Sequence, residues 1–171
     1  VVQVDHDNVG ACRELVTVLF AKGIQNIAYL GSNMDQMVNR CRYQGYEEAY
    51  RKGKRKLNPD LVYTDLSSRV MVEKAVEELK KSGVECILCQ DDYICDEVVR
   101  KLSRMGVRIP DQMKVASCHY SRILENYPIT VTSLKFNITE LGRRSCQVLL
   151  DMIHGKTVPD KTLLDYEIIL K

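Results

Sequence analysis

Short apolar runs alternate with longer amphipathic stretches along this chain of 171 residues. Val1-Val2-Gln3-Val4, Ile27-Ala28-Tyr29-Leu30, Cys86-Ile87-Leu88-Cys89 and Val115-Ala116-Ser117-Cys118 read as strands, the inner ones continuous enough to be buried on both faces. A weaker strand is expected over 61–64, after Asn58-Pro59, and another over 132–136. Residues 163–170 alternate polar with apolar (Leu164, Tyr166, Ile168, Leu170), the pattern of a half-buried or edge strand. The stretches between have helical period. Residues 8–21 (Val9, Cys12, Val16, Leu19, Phe20) stop at Lys22-Gly23, and residues 38–52 stop at Gly53. Ser67 or Ser68 caps a helix to about 81, and Asp91 or Asp92 caps one to about 105, ended by Gly106. A last helix spans 139–153, with Thr139 as its expected cap.

Strand and helix thus alternate every 25 to 30 residues or so, the spacing of right-handed βαβ crossovers. The expected fold is α/β: a doubly wound, mostly parallel, Rossmann-like sheet flanked by helices. Ligands of such sheets bind outside the carboxyl ends of the strands. Asp5, residues 31–37 (Gln36 among them), 65–68, 90–92 and His119-Tyr120 are therefore the site candidates.

Composition narrows the class only a little. Hydrophobic residues are 45% and charged residues 28%, ordinary for a globular protein. No apolar run reaches the 18 or so residues of a membrane-spanning helix, so no membrane partner is expected. The start of the chain has no basic stretch followed by an apolar one, so no signal peptide is visible, and a segment that begins within a fold is expected. Net charge is +2. The densest basic cluster, Arg51-Lys52-Gly53-Lys54-Arg55-Lys56, suits a solvated helix end, where cations complement the helix dipole. Direct nucleic-acid contact needs an element that enters a groove, and no helix-turn-helix is visible.

Seven cysteines, an odd number, lie mostly in apolar periodic segments. Free thiols packed as small hydrophobes in a reducing cytoplasm fit this best. Cys86 and Cys89 have C-x-x-C spacing, but in a strand positions i and i+3 face opposite ways, which argues against a shared metal. No metal or cofactor is expected. Nucleotide-binding glycine motifs and the G-x-S-x-G nucleophile elbow are absent from the sequence, and the acid pairs Glu47-Glu48 and Asp91-Asp92 are explained by a solvated helix face and by capping. No catalytic residue is assigned and an enzyme is not expected.

A family resemblance runs along the chain. Val4-Asp5-His6-Asp7-Asn8 with Gly10, then Gly23 through Gly31, and Arg42-Tyr43-Gln44-Gly45-Tyr46 resemble successive segments of the effector-binding domain of LacI/GalR transcription regulators. Gln90-Asp91-Asp92 with Cys95 stands in the place of that family's N-D-x-x-A motif. Gly106 through Ile109-Pro110-Asp111 and Val115 resembles its G-x-x-(V/I)-P-x-D-x-x-V run. Pro128-Ile129-Thr130-Val131 leads into Thr132-Ser133-Leu134, which with Leu141-Gly142 resembles its closing block.

The resemblance implies a periplasmic-binding-protein-like domain. Residues 1–135 would be its C-terminal lobe, 136–162 a crossover and helix that belong to the N-terminal lobe, and 163–171 the final strand. The DNA-binding headpiece and most of the N-terminal lobe would lie upstream. The helix over 139–153 would then lack the usual partners of its apolar stripe (Leu141, Cys146, Leu149, Leu150, Ile153). Arg42 is implied as the principal ligand residue, a planar fork of donors for hydroxyls or an acid group. Asp91 stands where the family often has Asn, and serves as ligand contact or helix cap. Asp92, the next motif position, is expected to cap the helix. His119 stands where many members carry a ligand-binding Asp, Leu66 where an aromatic often stacks, and Phe136 where a polar hinge residue is common. These departures make the cleft less sugar-like.

The function implied is ligand sensing in a bacterial transcription regulator. The effector would be a sugar, sugar derivative or organic acid, the protein a cytoplasmic homodimer using residues 92–105 and 120–127, and operator DNA would be bound only through the headpiece. The alternative is a periplasmic-type solute-binding protein of a transporter, against which the free cysteines count.

Overall fold

The computed structural model describes residues 1–129 and 131–170; Thr130 and Lys171, the last residue of the expected 163–171 segment, lie outside the described residues. Eight strands and six helices follow one another as β1 (Gln3–His6), α1 (Asn8–Ala21), β2 (Ile27–Leu30), α2 (Met37–Lys52), β3 (Val62–Tyr63), α3 (Arg69–Lys81), β4 (Cys86–Cys89), α4 (Asp92–Arg104), β5 (Lys114–Ser117), α5 (Arg122–Glu125), β6 (Thr132–Phe136), α6 (Ile138–Ile153), β7 (Lys161–Leu164) and β8 (Tyr166–Ile169) among the described residues. A single 3-10 turn at Pro59–Leu61 leads into β3.

The main sheet has six strands in the order β3-β2-β4-β5-β6-β8. The first five run parallel and β8 joins β6 antiparallel. After β2 the chain steps outward to β3, then returns to the other side of β2 to form β4. Loops leaving β2 and β4 therefore diverge, and a crevice opens between them at their carboxyl ends.

Each face of this sheet carries its own core. Ala28, Leu30, Ile87 and Cys89 face α3 and α4, where Val72, Val76, Val98 and Leu102 close the layer. Ile27, Tyr29, Cys86 and Leu88 face α1 and α2. Complete burial of an Ile or Leu side chain stabilises by roughly 1.5–3 kcal/mol, and Ile27, Leu30, Ile87 and Leu88 are all fully buried. Cys86 and Cys89 thus belong to opposite layers, as their spacing in a strand requires. On the α1–α2 side, Tyr29, Tyr43, Tyr46 and Tyr50 form an aromatic chain with ring centroids 5.0–6.2 Å apart. The basic run after α2 is used locally: the Arg55 guanidinium sits 4.3 Å above the Phe20 ring.

Several local expectations shift. The first strand is Gln3–His6, and it pairs with β7 in a separate two-stranded sheet. The expected single strand over 163–170 is two strands that part at Asp165, because β7 follows β1 and β8 follows β6. Asn137, not Thr139, caps α6, its Oδ1 accepting from the Glu140 N–H at 2.9 Å. Ser68 caps α3. The apolar stripe of α6 is largely open: Leu149, Leu150 and Ile153 are exposed and Val148 is its buried residue.

Candidate functional site

The crevice between β2 and β4 gathers side chains from four elements. Arg42, one and a half turns into α2, points back over the sheet. Its Nη1 donates to the Gln90 carbonyl oxygen at 2.9 Å and its Nε to Asn8 Oδ1 at 3.3 Å. The guanidinium is thereby aimed and half-buried, and Nη2 has no hydrogen-bond partner among the described residues. A fork held on one side and open on the other is ready for an acceptor.

Asp91 is the N-cap of α4, with Oδ1 accepting from the Ile94 N–H at 2.9 Å. That corrects the expectation that Asp92 caps this helix. Asp91 also lines an open hollow of about 390 Å³ together with Ser32, Gln36, Asn39 and Leu66. Three expected residues, Gln36, Leu66 and Asp91, therefore share one wall. Gln36 is exposed at the start of α2, and Leu66 is buried at 7%. Asn39, which sequence reasoning passed over, ties the wall together: its Nδ2 donates to the carbonyls of Ser32 and Asn33 at 3.0 and 2.9 Å.

His119 and Phe136 form a second group at the ends of β5 and β6. Phe136 is buried, with its ring 4.7 Å from that of His6 and 6.4 Å from that of His119. His119 Nδ1 lies 3.2 Å from Asp92 Oδ1, and Ser121 Oγ donates to Asp92 Oδ2. Burial pushes the Asp92 carboxyl up, but the hydrogen bonds from Ser121 and His119 outweigh it and hold the group below the usual carboxylate range. Asp, His and Ser meet here without forming a nucleophile: the serine hydroxyl is bonded to the carboxylate and not to the imidazole.

Two further buried groups lie beneath. The Tyr29 hydroxyl and Gln90 Nε2 are buried without a hydrogen-bond partner. Burial pushes the Tyr29 phenol well above its ordinary value. Gln90 is otherwise engaged, its Oε1 accepting from the Ser32 N–H at 3.1 Å. Gly31 makes this approach feasible, since a Cβ there would lie 2.5 Å from Gln90 Oε1. Gly31 and Gln90 both stand among the strand-end candidates, but nothing in the sequence shows that they meet.

A larger hollow, about 870 Å³, lies elsewhere, along α4 and the 127–129 segment. Its arginines are already matched by acids: Arg69 and Arg104 with Glu73, Arg100 with Asp96, Arg108 with Asp111. In the strand-end crevice, by contrast, Arg42 Nη2 is aimed by the bonds of its own guanidinium and has no partner among the described residues. No group of three or more His, Cys, Asp or Glu side chains able to hold a metal occurs among the described residues. No helix of the described residues is long and apolar enough to cross a membrane.

The model of the periplasmic binding protein-like domain matches residues 16–171. The HTH-type transcriptional regulator GntR of Escherichia coli K12 is 26% identical over 167 residues, which is 95% of this chain and 49% of GntR. CelR of Thermobifida fusca is 26% identical over 171 residues, 98% of this chain and 50% of CelR. Among solved structures, a CelR–cellobiose complex superposes with a TM-score of 0.87 at 26% identity, over 99% of this chain and 53% of that one. A LacI-family regulatory protein from Chloroflexus aggregans gives 0.91 at 19% identity, over 100% of this chain and 63% of that one. The chain spans about half the length of the curated relatives it matches.

Proposed function

The chain belongs to the periplasmic binding protein-like domain family, and from that premise we propose that it is the ligand-sensing part of a LacI/GalR-type transcription regulator. The observation that carries this reading is the aimed, half-open Arg42 guanidinium at the topological switch of a doubly wound sheet. Arg42, Asp91, His119, Leu66, Phe136 and Gln36 are the effector contacts in this reading. The effector is a small molecule: a sugar, a sugar derivative or an organic acid.

A second lobe supplies the opposite wall of the cleft. The open apolar stripe of α6 supports an assignment of the 136–162 segment to that lobe, and the separate sheet supports grouping β1 and β7 with it. Of the expected division into 1–135 and a final strand 163–171, the first lobe then keeps the six-stranded sheet, closed by β8. Effector binding closes the lobes and repositions an upstream DNA-binding domain, with a coupling of typically 1–3 kcal/mol between the two ligands. The protein acts as a homodimer through α4 and residues 120–127, beside the hollow lined by Val107, Ile109 and Tyr127. A cytoplasmic location suits seven free thiols. The relatives named as transcription regulators favour this reading over a transporter's solute-binding protein.

The test is a thermal-shift screen of sugars, sugar phosphates, nucleobases and organic acids on the complete protein. It is repeated with Arg42→Ala. A compound that raises the melting temperature of the wild type, and does so much less in the variant, supports the assignment. A compound equally effective on both removes Arg42 from the site.

A further inference from the structure

The environment of His119 says what the effector must offer. Asp92 is the one acid among the buried polar and charged side chains of the described residues, with 7% of its side chain exposed. Its carboxylate is held ionised by the Ser121 hydroxyl on one oxygen and the His119 ring on the other. An ionised carboxylate only accepts hydrogen bonds, so the proton on this side of the imidazole belongs to Nδ1. In a neutral ring the other nitrogen, Nε2, then carries a lone pair.

That nitrogen faces outward. His119 keeps 31% of its side chain exposed, and Nε2 has no partner among the described residues, yet it is not among the buried orphaned atoms. The residue cannot swing freely. Its backbone N–H donates to Ser117 Oγ at 3.2 Å and its carbonyl accepts from the same hydroxyl at 2.8 Å. Phe136 flanks the ring, nearly parallel at 23°. Ser121 is pinned in turn, its Oγ accepting from the Ile123 N–H at 3.1 Å as the cap of α5.

We propose that Asp92 and Ser121 are positioning residues that lock the His119 imidazole in its Nδ1–H form, so that Nε2 meets the effector as an acceptor for one of its hydroxyl or N–H groups. The inference rests on the effector-site reading above. It divides the labour in the cleft: Arg42 offers donors, His119 offers an acceptor, and an effector must carry both an acceptor and a donor to satisfy them. A hydroxyl-bearing or amide-bearing molecule does so. A simple dicarboxylate offers Nε2 no donor and leaves it unpaired.

The tautomer can be read without any effector, so failure here is distinct from failure of the sensing assignment. The experiment is a long-range ¹H–¹⁵N correlation spectrum of the full chain labelled at histidine, on the alkaline side of the imidazole titration. The three histidines are told apart with His119→Gln. The expected result for His119 is a protonated-type Nδ1 and an unprotonated-type Nε2. Asp92→Asn should move it toward the Nε2–H form, and Ser121→Ala, the milder change, should do so in part. A wild-type spectrum with Nε2 protonated would overturn the proposal. So would an Nδ1–H signal that neither variant alters, because a merely structural Asp92 would leave the ring tautomer alone.

Discussion

The Arg42 guanidinium donates to the Gln90 carbonyl at 2.9 Å, and so joins α2 to the carboxyl end of β4 across the crevice. A charge-assisted hydrogen bond of this kind contributes about 1.5–3 kcal/mol. Arg42→Ala should therefore lower the melting temperature as well as weaken effector binding by roughly ten- to a hundredfold. Arg42→Lys keeps the charge but cannot hold Asn8 and Gln90 from one planar fork. It should recover part of the stability and little of the affinity, which calorimetric titration and thermal melts measure separately.

Gly45 is the point where α1 and α2 touch backbone to backbone. A Cβ there would lie 2.4 Å from the Val9 carbonyl oxygen and 2.8 Å from Cys12 Cβ. Neither neighbour can turn aside, so the helices must separate. Gly45→Ala should destabilise by about 1–3 kcal/mol, the usual cost of overpacking, despite the better helix propensity of alanine. Chemical denaturation checks this, with an unchanged or raised midpoint as the contrary result.

Asp92 sets a pH dependence. Its carboxyl is held below the usual range in the fold, through Ser121 and His119 against the opposing effect of burial, while in the unfolded chain it titrates near about 3.9. The stabilisation is therefore complete above the unfolded value and disappears as pH falls through the folded one. Wild type should exceed Asp92→Asn in stability by about 1–3 kcal/mol at neutral pH, and the difference should shrink on acidification. Denaturation midpoints of both proteins across an acid series measure it.

The thiols should react in three classes. Cys146 is exposed, Cys41 is intermediate, and Cys12, Cys86, Cys89, Cys95 and Cys118 are fully buried. Burial pushes the Cys86 thiol up to about 12, so it is protonated and inert at neutral pH. A chromogenic thiol reagent should titrate one cysteine quickly and a second slowly. The remaining five should appear only with denaturant.

Much of the fold was legible because its signals are local. The period of residues 8–21 and the stop at Gly23 give α1 as found, and four-residue apolar runs give β2 and β4. What the sequence hid depends on partners far away along the chain. Residues 163–170 look like one alternating strand, and only the pairing of β7 with β1 and of β8 with β6 divides them. The exposed face of α6, with Ile153 68% exposed, has the pattern of a buried helix. At the site, Arg42, inside α2, came only from the family resemblance, whereas the strand-end rule pointed to Asp91 and His119. It could not say which of Asp91 and Asp92 would cap α4, since both precede the helix and both can accept. Nor could it show Ser121 behind Asp92, a contact 29 residues apart in sequence.

Hydrogen exchange, read by mass spectrometry with and without a compound that raises the melting temperature, puts the ligand on the molecule directly. The account predicts slowed exchange over residues 31–37, 65–68, 90–92 and 119–121, the loops at the carboxyl ends of β2, β3, β4 and β5. Protection confined to the hollow along α4, with those four loops unchanged, would contradict it.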